Sequence, residues 1–283
     1  MRVLLLGATG MLGHVTAEHL ATRFDLHVGV RDVARARRLG VAGEPHAVDA
    51  LEPAGVADLI ERLEPAAVVN AIGLVKQLEE ASRPVSAITV NALLPHVLAE
   101  AAAPHGARVV QISTDCVFSG RLPAPRAYRE QDPPDAEDLY GRSKLLGELT
   151  AAPGLTLRTS IIGRELERAS GLMEWFAGQD GSTLDGFKNA IFSGLTTRAL
   201  ARVIGTVIGD RPGLAGLYHV AAEPISKLEL LLRLRDVLGV DCEIQAVDEP
   251  RINRALDGSR FEADSGIAAP SWDEMLEEYR GER

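Results

Sequence analysis

Apolar runs and amphipathic stretches alternate through the first half of the chain. The runs are RVLLLG (2–7), LHVGV (26–30), PHAVDA (45–50), AAVVNAIG (66–73), ARVVQIST (107–114) and LTLRTSIIG (155–163), with helix-like segments at 11–23, 53–63, 84–103 and 140–151 between them. Near-continuous apolar runs rich in β-branched residues suit strands buried on both faces, and the intervening helices provide the crossovers that parallel strands need. The pattern predicts a doubly wound α/β fold with a parallel sheet, whose ligands sit beyond the carboxyl ends of the strands.

Past residue 163 the alternation becomes irregular. Segments 171–177, 197–208, 227–238 and 272–279 read as helices, and LYHVA and CEIQAV as short strands. Ser226 with Glu229 and Ser271 with Glu274 form capping-box patterns, and Gly239 is placed to stop the third of these helices. The expectation is a first domain over 1–163 and a smaller C-terminal α/β lobe over 164–283, interleaved with it. There is no internal repeat, and the one biased stretch is the loop 121–138, rich in proline and acids.

Composition narrows the class. With 46% apolar residues in 283, the chain can bury a sizeable core, and 25% charged residues suit a globular protein. A net charge of −10 gives no general attraction to phosphate backbones or anionic membranes, so neither nucleic acid nor a membrane is an expected partner. No apolar run approaches the ~18 residues of a spanning helix, and the apolar start is too short for a signal peptide. Cys116 and Cys242 have no metal-ligand spacing and read as thiols of a reducing compartment. The expected location is the cytoplasm.

The chemistry begins at LLLGATGMLGHV. Gly7, Gly10 and Gly13 fall directly after the first strand and at the start of the first helix, the arrangement of a Rossmann dinucleotide-binding turn: a tight turn, a close backbone approach to pyrophosphate, and close helix packing. Gly7, Thr9, Gly10, Met11 and Leu12 are the expected contacts. At the tip of the second strand Arg31 suits the 2′-phosphate of NADPH, helped by Arg35 or Arg38, while Asp32 leaves NADH open. Asp49 is placed for adenine or for a turn, and Ala71 and Gly73 of VVNAIG line the same edge of the sheet.

In YGRSK, Tyr140 and Lys144 share one helix face. A neighbouring ammonium is expected to lower the phenol's pKa and make it a usable proton donor. QISTDCVFSG places Ser113 and Thr114 at the end of the fifth strand, where a carbonyl could be polarised.

GATGMLG, VVNAIG, ISTDCVFSG and YGRSKLLGE, in this order, resemble the extended short-chain dehydrogenase/reductase superfamily, most closely its dTDP-4-dehydrorhamnose reductase type. LRTSIIG and NRALDGSRF extend the resemblance to about residue 270. The resemblance implies that Thr114 hydrogen-bonds the substrate carbonyl, Tyr140 donates the proton, and Lys144 tunes the phenol and holds the nicotinamide ribose. Asn91 matches a position that braces the site and is counted with the substrate residues. The implied reaction is hydride transfer from NADPH to C4 of a nucleotide-activated 4-keto-6-deoxyhexose.

Other members of the superfamily set the alternatives. Dehydratases place a glutamate where this chain has Cys116, which disfavours dehydration. A 4-epimerase with retained NAD and a non-catalytic regulatory subunit stay open. GFKNAIFSGLTTRALARVI and GLYHVAAEPISKLELL resemble reductases of surface-polysaccharide clusters, so the nucleotide is dTDP or UDP. Lys188, Arg251, Arg254 and Arg260 are candidates for the diphosphate, and Asn189, Phe192 and Ser193 for the substrate wall. Family members are often homodimers, and no metal-ligand cluster is visible.

Overall fold

The structure, a computed structural model, describes residues 1–75, 82–167 and 171–282. Its first elements are β1 (Arg2–Leu6), α1 (Met11–Ala21), β2 (Asp25–Val30), α2 (Val33–Arg38), β3 (Glu44–Ala47), α3 (Pro53–Leu63) and β4 (Ala67–Asn70). A helical run follows, made of α4 (Pro84–Ala87), a π-helical turn (Ile88–Leu93) and α5 (Leu94–Ala102). Then come β5 (Arg108–Thr114), α6 (Leu139–Leu146) and β6 (Leu155–Thr159). The doubly wound parallel sheet expected from the apolar runs is present. The short helix α2 had no counterpart in the apolar pattern, because a single residue of it, Ala36, is buried.

The helix expected over 84–103 is interrupted by the π turn for a local reason. Pro95 has no amide hydrogen to give to the carbonyl four residues earlier, that of Asn91, and its ring crowds that carbonyl. Widening the coil over Ile88–Leu93 relieves the conflict. By length and composition the run Pro84–His105 would suffice to cross a membrane, although polar residues interrupt its apolar ones. Here Val90, Leu94, Leu98 and Ala102 of that run pack in one core cluster with Val56, Leu59 and Ile60 of α3.

The remaining elements are β7 (Ile161–Ile162), α7 (Leu172–Ala177), β8 (Thr183–Phe187), β9 (Ala190–Phe192), β10 (Leu195–Thr196), α8 (Thr197–Asp210), β11 (Gly216–His219), β12 (Ile225–Ser226), α9 (Lys227–Leu238), β13 (Glu243–Val247), β14 (Ile252–Asn253), α10 (Ser259–Ser265) and α11 (Trp272–Glu277). The main sheet has seven strands in the order β11-β6-β5-β4-β1-β2-β3, parallel throughout. Its edge strand β11 comes from beyond residue 163 and pairs Tyr218 with Leu157 of β6. Helix α8 lies against α1 so closely that a Cβ on Gly205 would be 2.7 Å from His19 Nε2. Around this sheet the later residues form a three-stranded sheet β12-β9-β14 and the pairs β13-β8 and β10-β7.

The order of the sheet places the site. β1 and β4 are neighbours, β1 runs into the glycine-rich turn and then α1, and β5 flanks β4. The carboxyl ends of β1, β4 and β5 therefore open side by side, with α6 beyond β5.

Candidate active site

The glycine-rich turn is built for close approach. Gly7 adopts φ +84°, in the left-handed region that side chains disfavour, and a Cβ on Gly13 would sit 2.0 Å from the Gly7 carbonyl oxygen. The Gly10 amide donates to that same carbonyl at 2.9 Å. No side chain caps α1, so amides of its first turn are left for a phosphate. Leu12 buries its side chain in the core and can offer only its amide, whereas Thr9 and Met11 are half-buried at the turn. The Met11 methyl lies against Gly171, where a Cβ would come within 2.6 Å. These features fit a dinucleotide.

At the adenosine end Arg31 is exposed at the tip of β2. Asp32 is engaged in capping α2, accepting the Arg35 amide at 2.9 Å. Arg35 pairs with Glu167, and Arg38 is exposed. Asp49 turns back on its own loop, accepting the Leu51 amide at 2.9 Å.

Beyond β4, the Asn70 carboxamide accepts the Ile72 amide at 3.1 Å and donates to Gln111 at 2.7 Å. This shapes the stretch Ala71–Gly73. A Cβ on Gly73 would be 3.7 Å from both Lys144 Nζ and Asn91 Oδ1, so these three groups meet at one point. Asn91 is fully buried. Its carboxamide accepts the Leu74 amide (2.9 Å) and donates to the Leu74 carbonyl and Ser143 Oγ, both at 3.1 Å. It thus joins the β4 loop to α6.

Helix α6 starts with Asp138 accepting the Gly141 amide at 2.7 Å. A Cβ on Gly141 would be 2.3 Å from the Cys116 carbonyl oxygen, so the first turn of α6 rests directly on the segment after β5. That contact brings Tyr140 to Thr114, with which its side chain shares a hydrogen bond. Thr114 Oγ1 also donates to Asp115 Oδ1 at 3.2 Å and accepts the Cys116 amide at 3.1 Å. Ser113 points away and donates to Glu148 at 2.7 Å. Glu148 forms a buried ion pair with Arg158, and the Arg158 guanidinium lies 3.3 Å from His219 Nε2.

One electrostatic expectation is corrected. Burial holds the Tyr140 phenol well above its ordinary value; Cys116, Asp115 and Asp138 push the same way, and the bond to Thr114 opposes them. Lys144 is not among the leading influences on the phenol. Its ammonium donates to the Ile112 carbonyl at 2.6 Å, and burial pushes its pKa down to about 8 against the pull of Glu148. The i, i+4 spacing puts both side chains on one face but does not decide which neighbour each one reaches. Tyr140 is a protonated donor at neutral pH, and Lys144 is a buried cation aimed at the β4–β5 edge.

The proposed substrate residues divide. Arg254 reaches the catalytic loop, donating from Nε to the Phe118 carbonyl at 2.9 Å and from its guanidinium to the Ser119 carbonyl at 3.3 Å. Together with Cys116, Phe118, Ser119 and Asp138 it lines a cavity of about 310 Å³. Lys188 pairs with Asp248 at 2.8 Å, Asn189 donates to the Asp248 carbonyl at 2.8 Å, and Arg251 pairs with Glu249 at 3.1 Å, so the two cations are already paired with acids. Phe192 is buried against Trp272. Ser193 Oγ accepts the Leu256 amide at 2.8 Å, and Arg260 lies over the Tyr218 ring.

Asp115 and Lys227 also belong to this neighbourhood and were not singled out from the sequence. Lys227 had one legible signal, a cation in the first turn of a capped helix, where the helix dipole disfavours it. Among the described residues no cluster of three or more His, Cys, Asp or Glu is placed to hold a metal ion.

Comparison with known proteins agrees with this geometry. The chain is 26% identical over 298 residues to dTDP-4-dehydrorhamnose reductase of Salmonella typhimurium, covering 96% of this chain and 95% of that one. It is 31% identical over 204 residues to the spore coat polysaccharide biosynthesis protein SpsK of Bacillus subtilis, covering 63% of this chain and 65% of that protein. In fold it resembles the dTDP-4-dehydrorhamnose reductase of Bacillus anthracis solved in complex with NADP, with a TM-score of 0.81, 22% identity and 98% of both chains covered. The family model described as RmlD substrate binding domain matches residues 1–282, and the chain therefore belongs to that family.

Proposed function

We propose that this protein is an NADPH-dependent reductase acting on the C4 carbonyl of a nucleotide-activated 4-keto-6-deoxyhexose, of the dTDP-4-dehydrorhamnose type. The observation that carries the reading is the hydroxyl pair Thr114–Tyr140 at the end of β5, on the same sheet edge as the glycine-rich turn and one helical turn from Lys144. The reductase names of the relatives support it, and the neighbour solved with NADP supports the cofactor, with NADH as an option.

When bound, the nicotinamide cofactor would supply the hydride that C4 receives. Charge then builds on the carbonyl oxygen, and Tyr140 gives that oxygen a proton, completing the secondary alcohol. Thr114 donates to the same oxygen, more strongly as it becomes negative, which is the differential that lowers the barrier. To do so its hydroxyl turns from Asp115 to the substrate. Lys144 would hold the nicotinamide ribose beside Gly73, and Arg31 would meet the 2′-phosphate. The name of the SpsK relative favours a role in surface-polysaccharide synthesis, carried out in the cytoplasm where NADPH is available.

The test follows NADPH absorbance with dTDP- and UDP-linked 4-keto-6-deoxyhexoses. Tyr140→Phe should cut kcat by about 10²–10⁴ while leaving NADPH affinity in place. Consumption that survives unchanged in Tyr140→Phe, or that no keto sugar elicits from the wild type, would remove the assignment. An epimerase would instead interconvert sugars without net loss of NADPH.

A further inference from the structure

Lys227 opens α9, directly after Ser226, whose side chain accepts the Glu229 amide at 3.0 Å. Its ammonium lies over the Phe192 ring, 3.8 Å from the centroid. The ionisable groups that act on it are Asp115 and Cys116, the two residues after Thr114. Among the described residues no carboxylate oxygen comes within ion-pair distance of it.

Three features make this position costly for a cation. It is largely removed from water, it stands at the positive end of a helix, and its charge has no direct counter-ion. Cation–π contact with Phe192 offsets part of this, but a Leu or Met packed on the same ring would avoid the charge altogether. A cation held at such cost beside a catalytic loop is a functional candidate on physical grounds.

Asp115 completes the pattern. Burial pushes its carboxyl up, while Arg254 and Lys227 pull it down, and it already accepts from Thr114. An ammonium and a carboxylate near enough to act on one another electrostatically, yet not in contact, offer a donor and an acceptor to one hydroxyl. In a 4-keto-6-deoxyhexose the carbon on one side of the carbonyl bears the C3 hydroxyl and the carbon on the other bears a methyl group. Only the hydroxyl can use both partners.

We propose that Lys227 is a substrate-positioning residue that donates to the C3 oxygen of the hexose while Asp115 accepts from the same hydroxyl. This rests on the reductase reading for the position of C4 and adds to it what orients the ring. With C4 held by Thr114 and Tyr140 and C3 held by Lys227 and Asp115, a single face of the sugar is turned toward the hydride. The pair thereby governs both the demand for a 3-hydroxyl and the stereochemistry at C4.

The experiment compares the wild type with Lys227→Met, which keeps the stem on Phe192. The probes are a dTDP-linked 4-keto-6-deoxyhexose and its 3-deoxy counterpart. Calorimetry on the NADP⁺-loaded protein gives binding, and NADPH consumption gives kcat and KM. Lys227→Met should weaken binding of the 3-hydroxy sugar, and raise its KM, by about ten- to a hundredfold, and change 3-deoxy binding and NADPH affinity by less than about twofold. Equal losses on both sugars, or no loss on either, overturn the proposal. Should the wild type bind both sugars and discriminate through Lys227 yet consume no NADPH, the reductase reading fails and the binding role stands. Should it bind neither sugar, both fall.

Discussion

Lys144 shows how a single side chain is set by its surroundings. Its value of about 8 in the folded protein lies below the ordinary 10.5 because burial penalises the ammonium. Between those two values the unfolded chain holds more protons than the folded one, so stability rises with pH across that window. Below pH 8 the penalty is fully present. Lys144→Met should therefore melt higher than the wild type at pH 7, with the difference closing as the pH is raised past 8 toward 10.5, and should lose reductase activity. Thermal melts at a series of pH values check this. A gap of the same size at pH 7 and pH 10 would show that the lysine's charge is not its source. Activity and stability oppose each other here, as they do for Lys227, because a cation useful to a ligand is held away from water before the ligand arrives.

Among the elements, α6 is the one whose placement decides the chemistry, and it is positioned by two glycines. Gly141 lets its first turn sit on the Cys116 carbonyl, and Gly147 lets the chain just past its last turn approach the π turn, where a Cβ would fall 2.0 Å from the Asn91 carbonyl oxygen. That carbonyl is the one that Pro95 cannot engage. Gly147→Ala must push α6 away from the π turn and with it Ser143 and Lys144. A loss of about 1–3 kcal/mol in urea denaturation is expected, with a fall in kcat. Gly55 in α3 provides the contrast, since nothing lies within 4 Å of the Cβ it would gain. Gly55→Ala should be neutral or stabilise by up to about 1 kcal/mol, because alanine is the better helix former. If both substitutions cost the same, packing against Asn91 is not what places α6.

At the scale of the whole molecule, the buried ion pair Glu148–Arg158 joins four parts of the sheet region. Glu148 follows α6 and accepts from Ser113 of β5, Arg158 lies on β6, and its guanidinium reaches His219 of β11. Both charged side chains are 3% exposed, so neither can turn to water if its partner is lost. Arg158→Leu should cost about 3–5 kcal/mol, and the double substitution Arg158→Leu with Glu148→Met should recover much of it, since apolar replacements leave no stranded charge. Chemical denaturation of the three variants measures this. A double variant no more stable than Arg158→Leu would mean that the pair's geometry, rather than the unpaired carboxylate, carries the effect. Arg108 acts in the same way at the lower edge of β5, donating to the carbonyls of Val207, Arg211 and Leu214 and so tying α8 and the chain that follows it to the sheet.

What was legible in the sequence is what depends on neighbours in the chain. The glycine spacing after β1, the apolar runs of a parallel sheet, the caps at Ser226 and Ser271, and the shared face of Tyr140 and Lys144 all follow from local backbone geometry, which a few adjacent residues determine. Tertiary structure decided what depends on which distant segments meet. It placed β11 beside β6, turned Lys144 to the Ile112 carbonyl, raised the Tyr140 phenol by burial, neutralised Lys188 with Asp248, and brought Lys227 to Asp115 across more than a hundred residues of chain. A side chain's charge state and partners are set by how much water its neighbours exclude and where they hold their dipoles, and those neighbours are assembled only when the chain packs.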